Sequence, residues 1–583
     1  MVNFPRAVFS RFLLFALLSI ALMALRLHAA ESNDAVTLPP FIVEEASKGP
    51  PWRYTEMPGF EILSRCRDRT TRELALAHYR LHRLLELLLP ERLQLAFAAP
   101  KAIIFYDEAL QPAASQEVIA SMMRRATKEQ APVDLGALDL GRFGLRGAPS
   151  ASSRRISFLP NLRLWDRDEM AVFAIVRDGG YDADRLVLTG DYVSYLLLNR
   201  TPALPWWFVS GVLRLYELTD YESKALTIHP ITWISEEETD AVKHEPKTAT
   251  APLPLAEFFS SGPPAATPEN EARRKLWIAQ GTLFLRWALD GRTPAQREAF
   301  FEFVVHATTG VTPAAFQRCF GVDFAAADVQ LAAYLPTAVR KTVTLRPAHP
   351  LVPPPIELRD ASEVDIARIK GDWERLEVGF VRAHTPELTD KYLEQARRTL
   401  HRAYDRDGRD PRLLAALGLC ECDAGDDAAA REFLEAAARL GPLRPRAGYE
   451  LARLRLAAAA AKPEGAGDRL SVDQVKSVFT PLFAVREAAP PLPEVYELIA
   501  KVWACSAVPP TRGHLAVLDE GVRLFPRHSS LVYQTAALFA DNGFPAEGAE
   551  YVRLGVLFTA DAAERERFTS LKARLDAATV PAK

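Results

Sequence analysis

The chain has 583 residues, of which 49% are hydrophobic and 25% charged, and its formal net charge at pH 7 is -3. This composition excludes a wholly disordered chain, because it supplies apolar side chains for several cores. It also gives no basic footprint for nucleic acid. Five cysteines in a chain of this length exclude a fold built on disulfides.

The N-terminus has the pattern of an export signal. Arg6 and Arg11 precede an apolar run over residues 12–25, and Ala29 and Ala30 follow it. We therefore expect residues 1–30 to be a signal peptide that directs the protein to the bacterial periplasm or cell envelope. The run is short for a membrane span, which needs about 20 residues, so membrane contact is expected only if this segment stays uncleaved. Residues 31–51 are predicted to be a flexible lead.

Residues 52–336 are predicted to form a mixed α and β domain. Helices are expected where apolar residues recur at helical spacing, and strands where short β-rich runs stand between turn residues. The predicted elements are a helix over 71–89, strands over 102–106 and near 162–165, a mostly helical region over 167–218, and helices over 206–216, 269–289 and after Thr293-Pro294.

Helical repeats are predicted for residues 363–583, after a Pro-rich linker over 337–362. The segment from Pro411 carries small and large residues at the offsets of a 34-residue helix-turn-helix repeat, which indicates tetratricopeptide-type units. Such units share a continuous core when they stack into a solenoid. Further units are expected from Pro493 and Ser529, with weaker ones near Glu377 and Pro445, the last interrupted by a loop over 462–470.

The segment Leu186–Tyr216 (LVLTGDYVSYLLLNRTPALPWWFVSGVLRLY) carries the one motif that points to a chemistry. It resembles the active-site helices of gluzincin-type zinc peptidases, in the secreted peptidase-MA-like group. There an H-E-x-x-H helix is followed by a Leu-rich turn, an arginine, a proline-flanked tryptophan and a W-x-x-E-G helix. Two histidines four apart share one helix face and one zinc, and the glutamate beside the first acts as general base. The resemblance covers about residues 52–336.

None of the family's functional residues is retained at the matching positions. Asp191 stands for the first histidine, Tyr192 for the general base, Tyr195 for the second histidine and Ser210 for the third ligand. Because these side chains form a poor zinc-binding set, we expect no metal, no cofactor and no catalytic residue here. The resemblance implies that Trp207 and Gly211 remain as packing positions.

Other candidate metal ligands have weaker support. His78 and His82 are four apart on a predicted helix, which suits a metal pair, but a solvated helix face is the expected explanation. His229 follows the segment that matches the zinc-site helices. A rebuilt metal site that combines His229 with Asp191 and Glu217 is an alternative, but no spacing in the sequence supports it.

The predicted repeats offer a second candidate site. At the offsets that line the inner groove of such a solenoid stand Arg412, Arg446, Tyr449, Arg453 and Lys501. Cationic side chains in a groove can hold a peptide carboxylate, although solvated helix faces explain the same pattern.

Two functional hypotheses follow from this sequence. The first is a non-catalytic secreted scaffold, an α+β pseudo-metallopeptidase domain followed by an all-α solenoid, that binds a protein or peptide. The second is a hydrolase with a rebuilt site, in which Asp191 works with Tyr192 or Tyr195. A tyrosine with its usual pKa of about 10 is a poor base at neutral pH, so the first hypothesis is favoured.

Overall fold

A computed structural model describes most of the chain from residue 50 onward. Within the described residues no helix is long and apolar enough to cross a membrane. The described residues are 50–89, 100–107, 162–176, 193, 197, 204–222, 225–233, 250–260, 262–264, 267–307, 310–346, 352–384, 386–406, 408–559 and 561–579.

The strands in the described part of the chain form one six-stranded and one three-stranded sheet. They are β1 (Arg53–Met57), β2 (Phe60–Ser64), β3 (Pro100–Asp107), β4 (Leu162–Asp166), β5 (Glu169–Val176), β6 (Thr219–Glu222), β7 (Ala225–Ile228), β8 (Val343–Leu345) and β9 (Arg359–Asp360). The larger sheet has the order β4-β5-β3-β2-β1-β9, and the smaller has β6-β7-β8. In the larger sheet β2, β3 and β5 run parallel, and the outer pairs are antiparallel.

The described residues before the repeats form seven α-helices. They are α1 (Asp68–Leu88), α2 (Trp206–Glu217), α3 (Leu255–Ser260), α4 (Glu271–Leu289), α5 (Pro294–His306), α6 (Pro313–Phe320) and α7 (Phe324–Ala338). Helix α1 connects β2 to its parallel neighbour β3, as a parallel pair requires a crossover. Helix α5 begins as expected. Thr293 is its N-cap, Pro294 is its first residue, and Thr293 forms a capping box with Gln296.

Residues 169–176 form a central strand, so the prediction of a mostly helical region from residue 167 was wrong for this segment. The sequence EMAVFAIV pairs with both β3 and β4. A strand covered on both faces is apolar without alternation, and such a run cannot be distinguished from a buried helix by periodicity.

The large sheet is covered on both faces. On one face Ile62, Ile103 and Val172 join the core of α1 and the helices α2–α7. On the other face Leu63, Ile104 and Phe173 pack against a helix of the repeat region, α8 (Glu363–His384), through Ile369 and Trp373. The rings of Phe173 and Trp373 lie 5.4 Å apart. Helix α8 therefore belongs to the core of the sheet as well as to the repeats.

Helices α2 and α4 touch at two glycines. A Cβ on Gly211 would lie 2.7 Å from the carbonyl oxygen of Gly281, and a Cβ on Gly281 would lie 2.8 Å from that of Trp207. Trp207 is buried and packs edge-on against Phe284 of α4 at 5.4 Å. The predicted packing role of Trp207 and Gly211 is confirmed.

From Glu363 onward the described chain is an all-α repeat solenoid of five packed helix pairs and a last helix. After α8 these are α9 (Thr389–Asp405), α10 (Pro411–Ala424), α11 (Asp427–Leu440), α12 (Pro445–Ala461), α13 (Val472–Arg486), α14 (Pro493–Cys505), α15 (Arg512–Leu524), α16 (Ser529–Asp541), α17 (Pro545–Phe558) and α18 (Ala562–Thr579).

The predicted repeat starts at Pro411, Pro445, Pro493 and Ser529 are helix starts in the structure. Proline suits these positions because the first helical N–H has no partner within the helix. The start predicted near Glu377 was wrong, because α8 already begins at Glu363 and Glu377 is a buried residue within it.

The segment predicted as a linker contributes a strand to each sheet. Val343–Leu345 pairs with β7, and Arg359–Asp360 pairs with β1. These strands have only three and two residues, too few to show a pattern in the sequence. The segment thereby attaches the repeats to both sheets.

We predict that Gly211→Ala destabilises the protein by about 1–3 kcal/mol, because the added methyl group overlaps the backbone of Gly281. Gly379→Ala is the matched control, since its Cβ meets nothing within 4 Å on α8. It should be neutral or stabilise by up to about 1 kcal/mol. Denaturant unfolding of both variants measures this, and equal effects would contradict the close helix contact.

Candidate functional site

Of the four positions that match zinc-site residues, only Ser210 is among the described residues. It is a buried residue of α2, next to the glycine that touches α4. Asp191, Tyr192 and Tyr195 lie outside the described residues. Val193 and Leu197 from the same segment are buried in the core that contains α2. A serine hydroxyl in place of a glutamate leaves this position without an anionic ligand.

The described residues contain no group of three or more His, Cys, Asp or Glu side chains that could hold a metal ion. His229 and Glu217, considered for a rebuilt site, each have another partner. His229 Nε2 lies 2.5 Å from Asp220 Oδ2, and Arg214 Nη1 lies 2.7 Å from Glu217 Oε2. His229 and Glu217 belong to no metal-binding group among the described residues.

His78 of the histidine pair on α1 is buried and His82 is half-buried, so the expected solvated face was wrong. His78 packs beside Phe105, with ring centres 5.5 Å apart, and its Nδ1 lies 3.0 Å from the carbonyl oxygen of Leu74. Burial lowers the pKa of His78 to about 4. Burial and the neighbouring His78 lower the pKa of His82 to about 3. Both rings are therefore neutral at pH 7 and belong to the packing of α1 on the sheet.

The predicted groove residues of α12 contact groups within the chain. Arg446 forms ion pairs with Asp166 of β4 and Asp423 of α10. Tyr449 lies beneath the guanidinium group of Arg167, 5.6 Å from its ring centre. Arg453, one turn further along, pairs with Glu450 at 2.6 Å and with Asp427 at 3.1 Å. The carboxylates near Arg446 thus come from the chain itself.

Of the other two predicted groove residues, Arg412 is paired within the chain, whereas Lys501 is exposed. Arg412 of α10 forms an ion pair with Glu61 of β2, which Arg368 of α8 also contacts at 2.5 Å. Lys501 of α14 is exposed and makes no ion pair with any described residue. Binding of an external peptide by these five residues stays a prediction.

A buried acidic turn joins the sheet to the repeats. The side chain of Asp166, at the end of β4, has 0% exposure and contacts three arginines. Arg375 of α8 and Arg444 before α12 each donate to Asp166 Oδ2 at 2.5 Å, and Arg446 contacts Oδ1. We call Asp166, Asp168, Arg375, Arg444 and Arg446 the acid–base cluster.

Asp168 caps a helix from a distant part of the chain. Its Oδ2 accepts the backbone N–H of Arg446, in the first turn of α12, at 2.9 Å. The local cap position of α12 is Arg444, whose side chain makes no capping hydrogen bond. Arg444 instead donates to both oxygens of Asp168, at 2.7 and 3.0 Å. An N-cap of this kind contributes about 1 kcal/mol.

The pKa values of the carboxyl groups beside the acid–base cluster depend on burial, which raises them, and on the cluster's arginines, which lower them. Burial disfavours the charged form of Asp372, yet Arg375 and Arg444 outweigh burial and keep its pKa below the ordinary value. For Glu169 burial prevails over Arg444 and raises the pKa to about 7.

Sequence reasoning missed Asp166, Asp168, Arg375 and Arg444, although a signal was present. Arg444 and Arg446 flank the proline that opens α12. Cations are unfavourable at a helix N-terminus, where the macrodipole is positive, so two arginines there indicate a carboxylate partner. The turn Asp166-Arg167-Asp168 is the matching partner, and it holds Arg167 in the left-handed region at φ 55°.

An open apolar groove lies in the middle of the repeats. It is a cavity of about 420 Å³ between α13, the end of α14 and the first turn of α15, which we call the α13–α15 groove. Three of its side chains are largely solvent-exposed: Val472 (61%), Phe483 (41%) and Val508 (47%). Phe479 and Trp503 form the floor, with ring centres 5.0 Å apart.

The chain matches no protein-family model, and no curated protein matches it. Solved structures resemble about a third of it. MamA is 12% identical, over 33% of this chain and 95% of that one, with a TM-score of 0.23. A thermophilic TPR protein of Thermus thermophilus is 16% identical; the match covers 34% of this chain and 98% of that one, with a TM-score of 0.25. PilF of Pseudomonas aeruginosa is 14% identical; the match covers 37% of this chain and 95% of that one, with a TM-score of 0.24. TM-scores this low do not establish a shared fold. The repeats are established by the packed helix pairs of this chain.

We predict that Asp166→Asn destabilises the protein by about 3–5 kcal/mol, because it leaves three guanidinium groups around a neutral side chain. Asp360→Asn serves as control, since Asp360 is exposed and pairs with Arg53 at the surface. That change should cost less than about 1 kcal/mol. Unfolding by urea measures both, and similar small values would show that the cluster is not a stabilising contact.

We predict that His78→Phe weakens the pH dependence of stability. The folded-state pKa of about 4 lies below the unfolded value of 6.5, so stability is lost as pH falls from 6.5 towards 4. Each histidine of this kind contributes up to about 1.4 kcal/mol per pH unit. Unfolding free energies at pH 5 and 7 should therefore differ less in His78→Phe than in the wild type. Parallel pH profiles would contradict the burial of His78.

Proposed function

We propose that the protein is a non-catalytic scaffold of the cell envelope that binds a protein or peptide with its helical repeats. The observation that carries this proposal is the α13–α15 groove. Among the described residues nine large hydrophobic side chains are exposed, and three of them line this one groove. Clustered exposed apolar side chains are typical of interaction surfaces, whereas single ones are ordinary.

The peptidase-like part acts in this proposal as a frame. The packing positions Trp207 and Gly211 are retained, while Ser210 replaces the glutamate ligand of the family that the sequence resembles. Supporting features are the buried α2–α4 contact and the attachment of α8 to the sheet. The frame then fixes the orientation of the repeats, and the α13–α15 groove is presented to a partner.

We predict essentially no zinc in the purified, buffer-exchanged protein, because Asp191, Tyr192, Tyr195 and Ser210 form a poor ligand set. Metal mass spectrometry on the full chain measures the zinc content per chain. About one tightly held zinc per chain would support the hydrolase with a rebuilt site instead. In that case Asp191→Ala and His229→Ala would locate the ligands.

A further inference from the structure

We infer that the α13–α15 groove binds a short acidic peptide segment that inserts aromatic or aliphatic side chains and places a carboxylate beside Lys476 and His514. This inference rests on the proposed function and names the site and the class of partner.

The wall of the groove offers apolar contacts because its hydroxyl groups are already bonded. Ser506 Oγ donates to the carbonyl oxygen of Val508 at 2.8 Å, and Thr480 Oγ1 donates to that of Lys476 at 2.9 Å. Val472, Phe479 and Phe483 provide the adjacent surface. Apolar side chains of a ligand can therefore enter without leaving a buried hydroxyl unpaired.

The floor of the groove is formed by stacked rings. The His514 ring stacks on Trp503 at 4.9 Å with an angle of 15° between the planes, and Phe479 packs against Trp503. Phe479 in turn packs edge-on against Phe483 at 5.4 Å. Rings held by one another in this way lose little freedom when a ligand binds, which favours affinity.

One lysine is the charged side chain among the residues that line the groove. Lys476 is exposed and forms no ion pair with any described residue, and no acidic side chain is among the lining residues. His514 Nδ1 accepts the backbone N–H of Thr511 at 3.3 Å, so a neutral His514 presents its Nε2–H as a donor. His514 also lies in the first turn of α15, where the helix dipole is positive. Charge complementarity therefore selects an anionic ligand.

An open groove of this kind suits a peptide segment. The exposure of Val472, Phe483 and Val508 shows that the groove opens along its rim, so one side of the occupant stays in water. A peptide helix with apolar residues on one face and acidic residues on the other satisfies both sides at once, as in helix-in-groove recognition. The chain's own acidic turn, Asp166 to Glu169, is already committed to Arg375, Arg444 and Arg446.

Selection of random dodecapeptides displayed on phage, with the immobilised full chain as bait, tests this inference. We expect enrichment of peptides that combine large apolar with acidic residues. The affinity of an enriched, end-blocked peptide is then measured by fluorescence anisotropy at two salt concentrations. Binding should weaken at the higher salt, because the rim charges are exposed to solvent.

Three exposed substitutions locate the site. Phe483→Ala should weaken binding by about tenfold or more, since it removes an apolar contact of the groove. Lys476→Glu should weaken it by about fivefold. Lys572→Glu makes the same charge change on an exposed lysine of α18 outside the groove, and should stay within about twofold. Thermal unfolding of each variant verifies that it is folded.

Several outcomes would overturn the inference. They are the absence of enriched peptides, enrichment of neutral or basic ones, and binding unaffected by Phe483→Ala and Lys476→Glu. Loss of binding in Lys572→Glu alone would place the peptide outside the α13–α15 groove. Saturable binding of decanoate without peptide selection would assign the groove to an amphiphile. A dimer abolished by Phe483→Ala would assign it to a second copy. The zinc content is independent of all these results, so failure of the scaffold proposal is recognised separately.

Discussion

The burial of Asp166 among three arginines is the contact on which the arrangement of this protein depends. Its carboxylate has no exposure to solvent, and the guanidinium groups around it come from α8 and from both sides of the proline that opens α12. Separating such groups would leave buried charges unpaired, which costs several kcal/mol. The β4–β5 turn, α8 and α12 are therefore fixed relative to one another, and Trp373 packs on Phe173 within that frame.

This constraint determines which surfaces are available to a partner. The cationic side chains at Arg412 and Arg446, which are the natural anchors for a peptide carboxylate, are neutralised by Glu61 and Asp166. The sheet and its β4–β5 turn contact α8, α10 and α12, and Arg167 of the turn also pairs with Glu494 of α14. The α13–α15 groove retains exposed apolar side chains and Lys476, which pairs with no acidic residue in the described part of the chain. Partner binding, in the proposed function, is accordingly directed to the α13–α15 groove.

The sequence allowed prediction of features that depend on local chemistry. The repeat starts at Pro411, Pro445 and Pro493 follow from proline at the first helical position, and Gly211 was expected at a packing contact. Features that depend on distant partners could not be predicted. The pairs of Asp166 with Arg375 and Arg446 join residues more than two hundred positions apart, and periodicity identifies a buried face without naming what covers it. For the same reason β5 was taken for helix and His78 for a solvated side chain.

Amide hydrogen exchange followed by mass spectrometry tests most directly whether the sheet and the repeats form one body. Cooperative units exchange through a common opening with a single free energy. We predict that peptides from β5 and from α8 open with free energies within about 1 kcal/mol of each other, because both are parts of one core. Exchange of α8 together with α9 at a clearly lower free energy, while β5 stays protected, would contradict this account. The acid–base cluster would then join two parts that unfold separately.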